Sequence, residues 1–168
     1  MESVAENAAR AALADNRFTA QGADFAGFEI AVALADDTLV RDLNARHRGR
    51  ATATDVLSFP AVERPDAEWL VAAGGKGGEA MPLGDVIIAR ETAIRDARAL
   101  GLPLAHHLAH LVIHGVLHCL GYDHRQDAEA EEMEALERRI LARLGIPDPY
   151  ATAAEASADG MNRKGMKG

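Results

Sequence analysis

Leu104-Ala105-His106-His107-Leu108-Ala109-His110-Leu111-Val112-Ile113-His114-Gly115-Val116-Leu117-His118-Cys119-Leu120 is the stretch on which the fold turns. Between Arg98 and Asp123 the chain has no Asp, Glu, Lys or Arg. Pro103 suits the first turn of a helix and Gly121 suits its stop. A helix that is apolar nearly all round belongs at the centre of a fold. Its polar exceptions are five histidines, His106, His107, His110, His114 and His118. At about 100° per residue they fall within one stripe roughly 120° wide. A solvated edge would normally carry Glu, Lys or Arg as well, so His114 and His118 read as functional. His106 and His107, near the helix start, read as the solvated edge.

Spacing selects the ligands. Residues four apart on a helix have Cβ atoms about 5–6 Å apart, close enough for two imidazoles to share an ion with bonds of about 2.0–2.1 Å. His114 and His118 satisfy this, and His110 with His114 is a geometric rival. His110 and His118 lie about 12 Å apart along the axis and do not share an ion. The sequel favours the later pair: Gly121 can end the helix in a left-handed turn, and Tyr122-Asp123 then brings His124 back. Gly115 is read as leaving open space beside His114. Three neutral imidazoles suit one zinc ion with a fourth position left for water or substrate. Cys119, about 100° around the helix from His118, is read as a small core residue.

Outward from this helix, Phe28, Ile30, Val32 and Leu34 alternate with Glu29, Ala31 and Ala33 as a half-buried strand. Asp36 or Asp37 caps a helix to about Arg46, with Leu39, Val40 and Leu43 facing inward. Val56, Leu57 and Phe59 form a second strand ended by Pro60. Strand, helix and strand in this order predict a right-handed parallel crossover. Residues 62–82 read as irregular, and the Gly-Gly-Lys-Gly-Gly run at 74–78 lacks the frame of a phosphate loop, so it reads as a flexible loop. Leu83 to Ala89 is a near-continuous apolar run, a strand buried on both faces. A helix from about Arg90 to Leu100 follows, with Ile94, Ala97 and Leu100 on one face. A modest Ala-rich helix spans 3–16. The last helix spans roughly Asp127 to Leu144, its acids early and Arg138, Arg139 and Arg143 late, as the helix dipole favours. The whole reads as an α+β fold, one metal-binding domain over 1–150, with 151–168 expected to be a disordered tail.

The bulk properties narrow the classes. The 168 residues suffice for one core, and with 48% apolar but only 4% aromatic residues that core is aliphatic. The single cysteine excludes an internal disulfide. The N-terminus lacks the build of a signal peptide, and five histidines with a Gly-Leu-Pro break speak against a membrane span at 99–122, so a cytoplasmic location is expected. A net charge of −8 argues against indiscriminate coating of nucleic acid. Charge is nevertheless uneven. Residues 41–50 hold Arg41, Arg46, Arg48 and Arg50 against Asp42, while Asp127, Glu129, Glu131, Glu132, Glu134 and Glu137 read as a solvated acidic face.

The segment His114-Gly115-Val116-Leu117-His118-Cys119-Leu120-Gly121-Tyr122-Asp123-His124 resembles the His-Gly-x-Leu-His-x-x-Gly-Tyr-Asp-His signature of the bacterial YbeY metal-dependent endoribonucleases, also called ribosomal RNA maturation factors. Leu43-Asn44, Arg48 and Thr54-Asp55-Val56-Leu57-Ser58-Phe59-Pro60 resemble the family's arginine-bearing segment. Leu83-Gly84-Asp85-Val86-Ile87-Ile88 resembles its buried strand, and Asp148-Pro149-Tyr150 its end. The likeness covers about residues 28–150. His47 and Cys119 depart from the usual pattern, as does the extra tail. The resemblance implies a small mixed sheet packed against helices, with zinc on His114, His118 and His124 and Arg48 in the active cleft. It also implies a single-strand-specific endoribonuclease acting in ribosomal RNA maturation, 16S 3′ ends included, and in ribosome quality control. RNA would be the substrate, and the ribosomal subunit and its proteins possible partners.

In that chemistry Arg48 holds non-bridging phosphoryl oxygens and His114 is part of the catalytic centre. Arg46 and Arg50 add contacts to the RNA backbone. Asp123 and Asp85 are candidate proton carriers, with structural roles as a turn cap and a strand-edge residue as the competing reading. A zinc peptidase would place Glu after the first histidine, where this chain has Gly115, so peptide hydrolysis is disfavoured. The alternatives are a ribosome-assembly or RNA-binding factor with structural zinc, and a metal-dependent hydrolase of another substrate.

Overall fold

The structure, a computed structural model, describes residues 1–63, 65–74 and 80–151. Residues 75–78 of the glycine run and the tail from 152 onward, both read from sequence as flexible, lie outside the described residues. In chain order the elements are α1 (Glu2–Ala14), a 3-10 turn (Thr19–Gln21), β1 (Phe28–Ala35), α2 (Asp37–Arg48), β2 (Val56–Pro60) and α3 (Ala67–Gly74). Then follow β3 (Met81–Ala89), α4 (Arg90–Ala99), α5 (Leu104–Cys119) and α6 (Asp127–Arg143). This is the α+β architecture the sequence implies.

The sheet has the order β1-β3-β2, with β1 parallel and β2 antiparallel to β3. The expected parallel crossover between β1 and β2 is therefore overturned. The cause is burial: β3 carries the near-continuous apolar run, so it takes the centre and separates the two shorter strands. Its Val86 and Ile88 are fully buried against α5, while Ala89 joins Val40 and Leu57 in a smaller core under α2. The sheet thus lies between α2 and α5. Leu83 is an extra residue where the β1 register jumps, Glu29 facing Pro82 and Ile30 facing Gly84.

Helix α5 is the hub. Leu108, Val112, Ile113, Val116 and Leu117 are buried on it, and α1 meets it through the small side chains Ala5, Ala8, Ala9 and Ala12. Asp36 caps α2 as expected, its carboxylate accepting from Leu39 N at 2.8 Å. Gly121 takes φ +82, the left-handed turn that brings the chain back toward His118.

Several local readings fail. Leu39 and Leu100 are solvent-exposed, at 47% and 63%, because Val40, Leu43 and Ala93, Ala97 already fill those faces. His107 is buried at 6% rather than solvated. Within 62–82 the chain forms α3, started by Asp66, whose carboxylate accepts from Trp69 N at 2.7 Å. Leu70 then buries its side chain and Trp69 packs on Phe28. Gly115 does not border open space either. A Cβ there would stand 2.4 Å from Val86 Cγ1 and 3.2 Å from Ser58 Oγ. This glycine is where α5 presses onto the sheet.

Candidate metal centre

Helix α5 delivers His114 and His118 one turn apart on its exposed-side stripe, and the Gly121 turn returns His124 to them. One ring nitrogen from each lies within 4.8 Å of the others. His114 Nε2 and His118 Nε2 face each other at 3.0 Å. The outer nitrogens explain why. His114 Nδ1 donates to Glu137 Oε1 at 2.7 Å, and His118 Nδ1 donates to the Tyr122 carbonyl at 2.9 Å. Both outer partners are acceptors, so each ring carries its proton at Nδ1 and turns a lone pair inward. Two inward lone pairs at this distance repel unless a cation lies between them. Two nitrogens bound to one tetrahedral zinc ion stand about 3.3 Å apart, so the donor set fits such an ion with little movement. Burial, reinforced by the facing His114 and His124 rings, lowers His118 to about 4 and keeps it neutral, as a metal ligand must be.

His110, the geometric rival, is turned elsewhere: its Nε2 donates to Glu137 Oε2 at 3.0 Å. Cys119 is buried, with its thiol 4.0 Å from the Asp85 carbonyl, and burial pushes it up to about 12. It is a core residue, and among the described residues the cluster remains three histidines.

His118 and His124 open onto a cleft of about 800 Å³, bounded also by Arg48, Ser58, Phe59, Glu63 and Asp123. Arg48 reaches it from the end of α2, its guanidinium donating to the Ser58 carbonyl at 3.4 Å, while His47 packs edge-on against Phe59. Arg48 also borders an adjoining hollow with Arg50, Thr52 and Thr54. Arg46 lines neither space. Asp123 caps the ligand turn, accepting from His124 N at 2.8 Å, and pairs with Arg125 at 2.9 Å. Asp85 sits on β3 opposite Phe59 and does not line the cleft.

Glu137 is the residue beside the site that reading the sequence as a solvated acidic face misses. It is fully buried, at 0% exposure, between His110, His114 and Tyr150. Burial works to raise its pKa, but the hydrogen bonds from His110 and His114 and the Tyr150 hydroxyl outweigh it and hold the carboxyl at about 2. A signal for it exists in the sequence: Met133, Leu136, Ile140 and Leu141 form the apolar stripe of α6, and Glu137 falls inside that stripe.

The fold and the site together define an α+β protein with a three-histidine group able to hold a metal ion at the mouth of an arginine-bearing cleft. A family model described as "Endoribonuclease YbeY" matches residues 1–145. A Rhodopseudomonas palustris (strain BisB5) protein of the same name is 54% identical over 129 residues, 77% of this chain and 65% of its own length. Another from Azorhizobium caulinodans is 53% identical over 129 residues, 77% of this chain and 75% of its own. This chain belongs to the YbeY family. It spans about two thirds of the length of the first of these relatives. In fold it resembles a Thermotoga maritima protein known from a solution structure, with TM-score 0.51, 20% identity, and coverage of 90% of this chain and 93% of that one. Among the described residues no helix is long and apolar enough to cross a membrane.

Proposed function

We propose that this chain is a zinc-dependent endoribonuclease that cuts single-stranded ribosomal RNA. It would act in the cytoplasm, in ribosomal RNA maturation (16S 3′ ends included) and ribosome quality control, with the ribosomal subunit and its proteins as partners. One observation carries the reading: a three-histidine group, with ring nitrogens close enough to share an ion, presents His118 and His124 to the same open cleft as Arg48. The name shared by its relatives supports RNA as the substrate.

His114, His118 and His124 would hold the ion. A zinc ion with an open position lowers the pKa of water toward 7 and polarises a phosphoryl oxygen. The planar guanidinium of Arg48 hydrogen-bonds the non-bridging oxygens as negative charge builds on them in the transition state. Its anchorage on the Ser58 carbonyl keeps the planar fork at the cleft wall. Arg50, next to it, extends positive charge along the adjoining hollow and suits a flanking phosphate. Arg46, on the same helix outside both spaces, adds attraction at longer range. Asp123 lines the cleft and is the better placed of the two proposed proton carriers, since Asp85 does not line it.

Gly115 speaks against peptide hydrolysis. A side chain at that position points into Val86 and Ser58, so a glutamate there would not reach water at the ligands. A purely structural zinc would call for a fourth protein ligand, and Cys119 points into the core. The test offers the zinc-loaded protein a single-stranded RNA carrying a 16S precursor 3′ end and the same sequence as a duplex. Cleavage restricted to the single strand is the expected result. Absence of cleavage of either, or equal cleavage of both, contradicts the proposal.

A further inference from the structure

Glu137 combines three properties that rarely coincide. It is wholly buried, it has no Lys or Arg partner among the described residues, and both its oxygens are engaged by groups around the histidine site. Oε1 accepts from His114 Nδ1 at 2.7 Å. Oε2 accepts from His110 Nε2 at 3.0 Å and from the Tyr150 hydroxyl, and these two donors lie 3.2 Å apart. Tyr150 is itself held. Its backbone N donates to Asp148 Oδ1 at 2.8 Å, Arg138 pairs with Asp148 at 3.3 Å, and the Arg138 guanidinium lies 5.0 Å from the centre of the Tyr150 ring.

Packing alone does not call for this arrangement. A buried carboxylate loses its hydration, and a wholly apolar cluster in place of all four groups would not carry that cost. What an apolar residue would not do is accept the His114 Nδ1 proton. Without that acceptor the ring is free to rotate or to move its proton to Nε2, and either change removes the inward lone pair.

We propose that Glu137 is the positioning residue of the His114 ligand, clasped by His110 and Tyr150, so that the affinity of the site for zinc depends on the segment after α6. The inference rests on the reading of His114 as a metal ligand. Orienting partners of metal-bound histidines typically change metal affinity by about 10–100-fold when removed.

The test is competition for zinc between the full chain and a chromophoric chelator, run for wild type, E137L, E137Q and Y150F. The melting temperature of each metal-free protein and its imidazole ¹⁵N spectrum are measured in parallel. E137L should bind zinc roughly 10–100-fold more weakly and lose the dominant Nδ1–H form of His114, while its metal-free melting temperature falls because His110, His114 and Tyr150 lose their acceptor. E137Q, which retains an acceptor for His114, should lose less than E137L. Y150F should weaken zinc severalfold, through loss of one donor to Oε2. If E137L fails to fold metal-free, E137Q and Y150F decide, since equal zinc affinity to wild type in both overturns the proposal. Unchanged affinity in a folded E137L overturns it directly. A wild-type protein that takes up no zinc refutes the metal reading itself, a distinguishable failure.

Discussion

Replacing Gly115 with alanine tests the claim that α5 is pressed against the sheet beside its own ligands. In an ordinary helix this change is stabilising by about 1 kcal/mol, because glycine is the poorer helix former. Here the new Cβ would stand 2.4 Å from Val86 Cγ1, 3.0 Å from Val86 Cγ2 and 3.2 Å from Ser58 Oγ. Carbon atoms in contact sit about 3.5–4.0 Å apart, so a gap of more than about 1 Å must open. Val86 is fully buried on the central strand, and its stiff β-branched side chain cannot swing aside. Helix and strand must therefore separate, an overpacking cost of about 1–3 kcal/mol that exceeds the gain in propensity. The expected net loss is about 1–2 kcal/mol, or a fall of roughly 2–8 °C in melting temperature for a domain of this size. Thermal and urea unfolding of the metal-free variant measure it. In a Val86→Ala background the same substitution should become neutral or stabilising, a coupling of about 1 kcal/mol or more. A Gly115→Ala protein at least as stable as wild type would refute the packing argument.

Three other perturbations probe separate parts of the account. Arg48→Glu should leave zinc content and melting temperature nearly unchanged while lowering RNA cleavage by about 100-fold or more; undiminished cleavage would remove Arg48 from the mechanism. Gly84→Ala should destabilise the chain by about 2 kcal/mol or more, since φ is +146 and a Cβ would meet the Phe59 carbonyl at 2.5 Å and Cys119 Sγ at 2.9 Å. An unchanged urea midpoint would contradict that. For pH, burial lowers His118 to about 4 and lowers His107 as well. Between pH 6.5 and about 4 the unfolded chain then binds more protons than the folded one, so metal-free stability falls as pH falls, by at most about 3 kcal/mol from His118. Glu137, held at about 2, loses its contribution only below its unfolded value of 4.5, so the upper window belongs to the histidines. Urea midpoints at pH 7, 6 and 5 that do not move would refute this.

The features legible in the sequence are local ones. The charge-free run sets α5, Asp36 and Gly121 act within their own turns, and four-residue spacing pairs His114 with His118. Strand order depends on which strand the rest of the chain buries. The Leu83–Ala89 run carries that information, because the most apolar strand takes the centre and separates β1 from β2, whatever the order of strand, helix and strand along the chain. The close approach at Gly115 is not legible locally because it is a property of two elements, and Val86 is 29 positions away. Glu137 was hidden among six acids. The stripe of Met133, Leu136, Ile140 and Leu141 marks it as inward, yet only its meeting with His114 in space gives it a role.

The central claim is that RNA is cut by a metal ion held on His114, His118 and His124. The most direct measurement follows cleavage of a single-stranded RNA by the purified chain as isolated, after complete removal of metal by a chelator, and after one equivalent of zinc is returned. The account predicts cleavage that is lost on removal and restored on return, with no restoration in His118→Ala. Full cleavage by metal-free protein would contradict it.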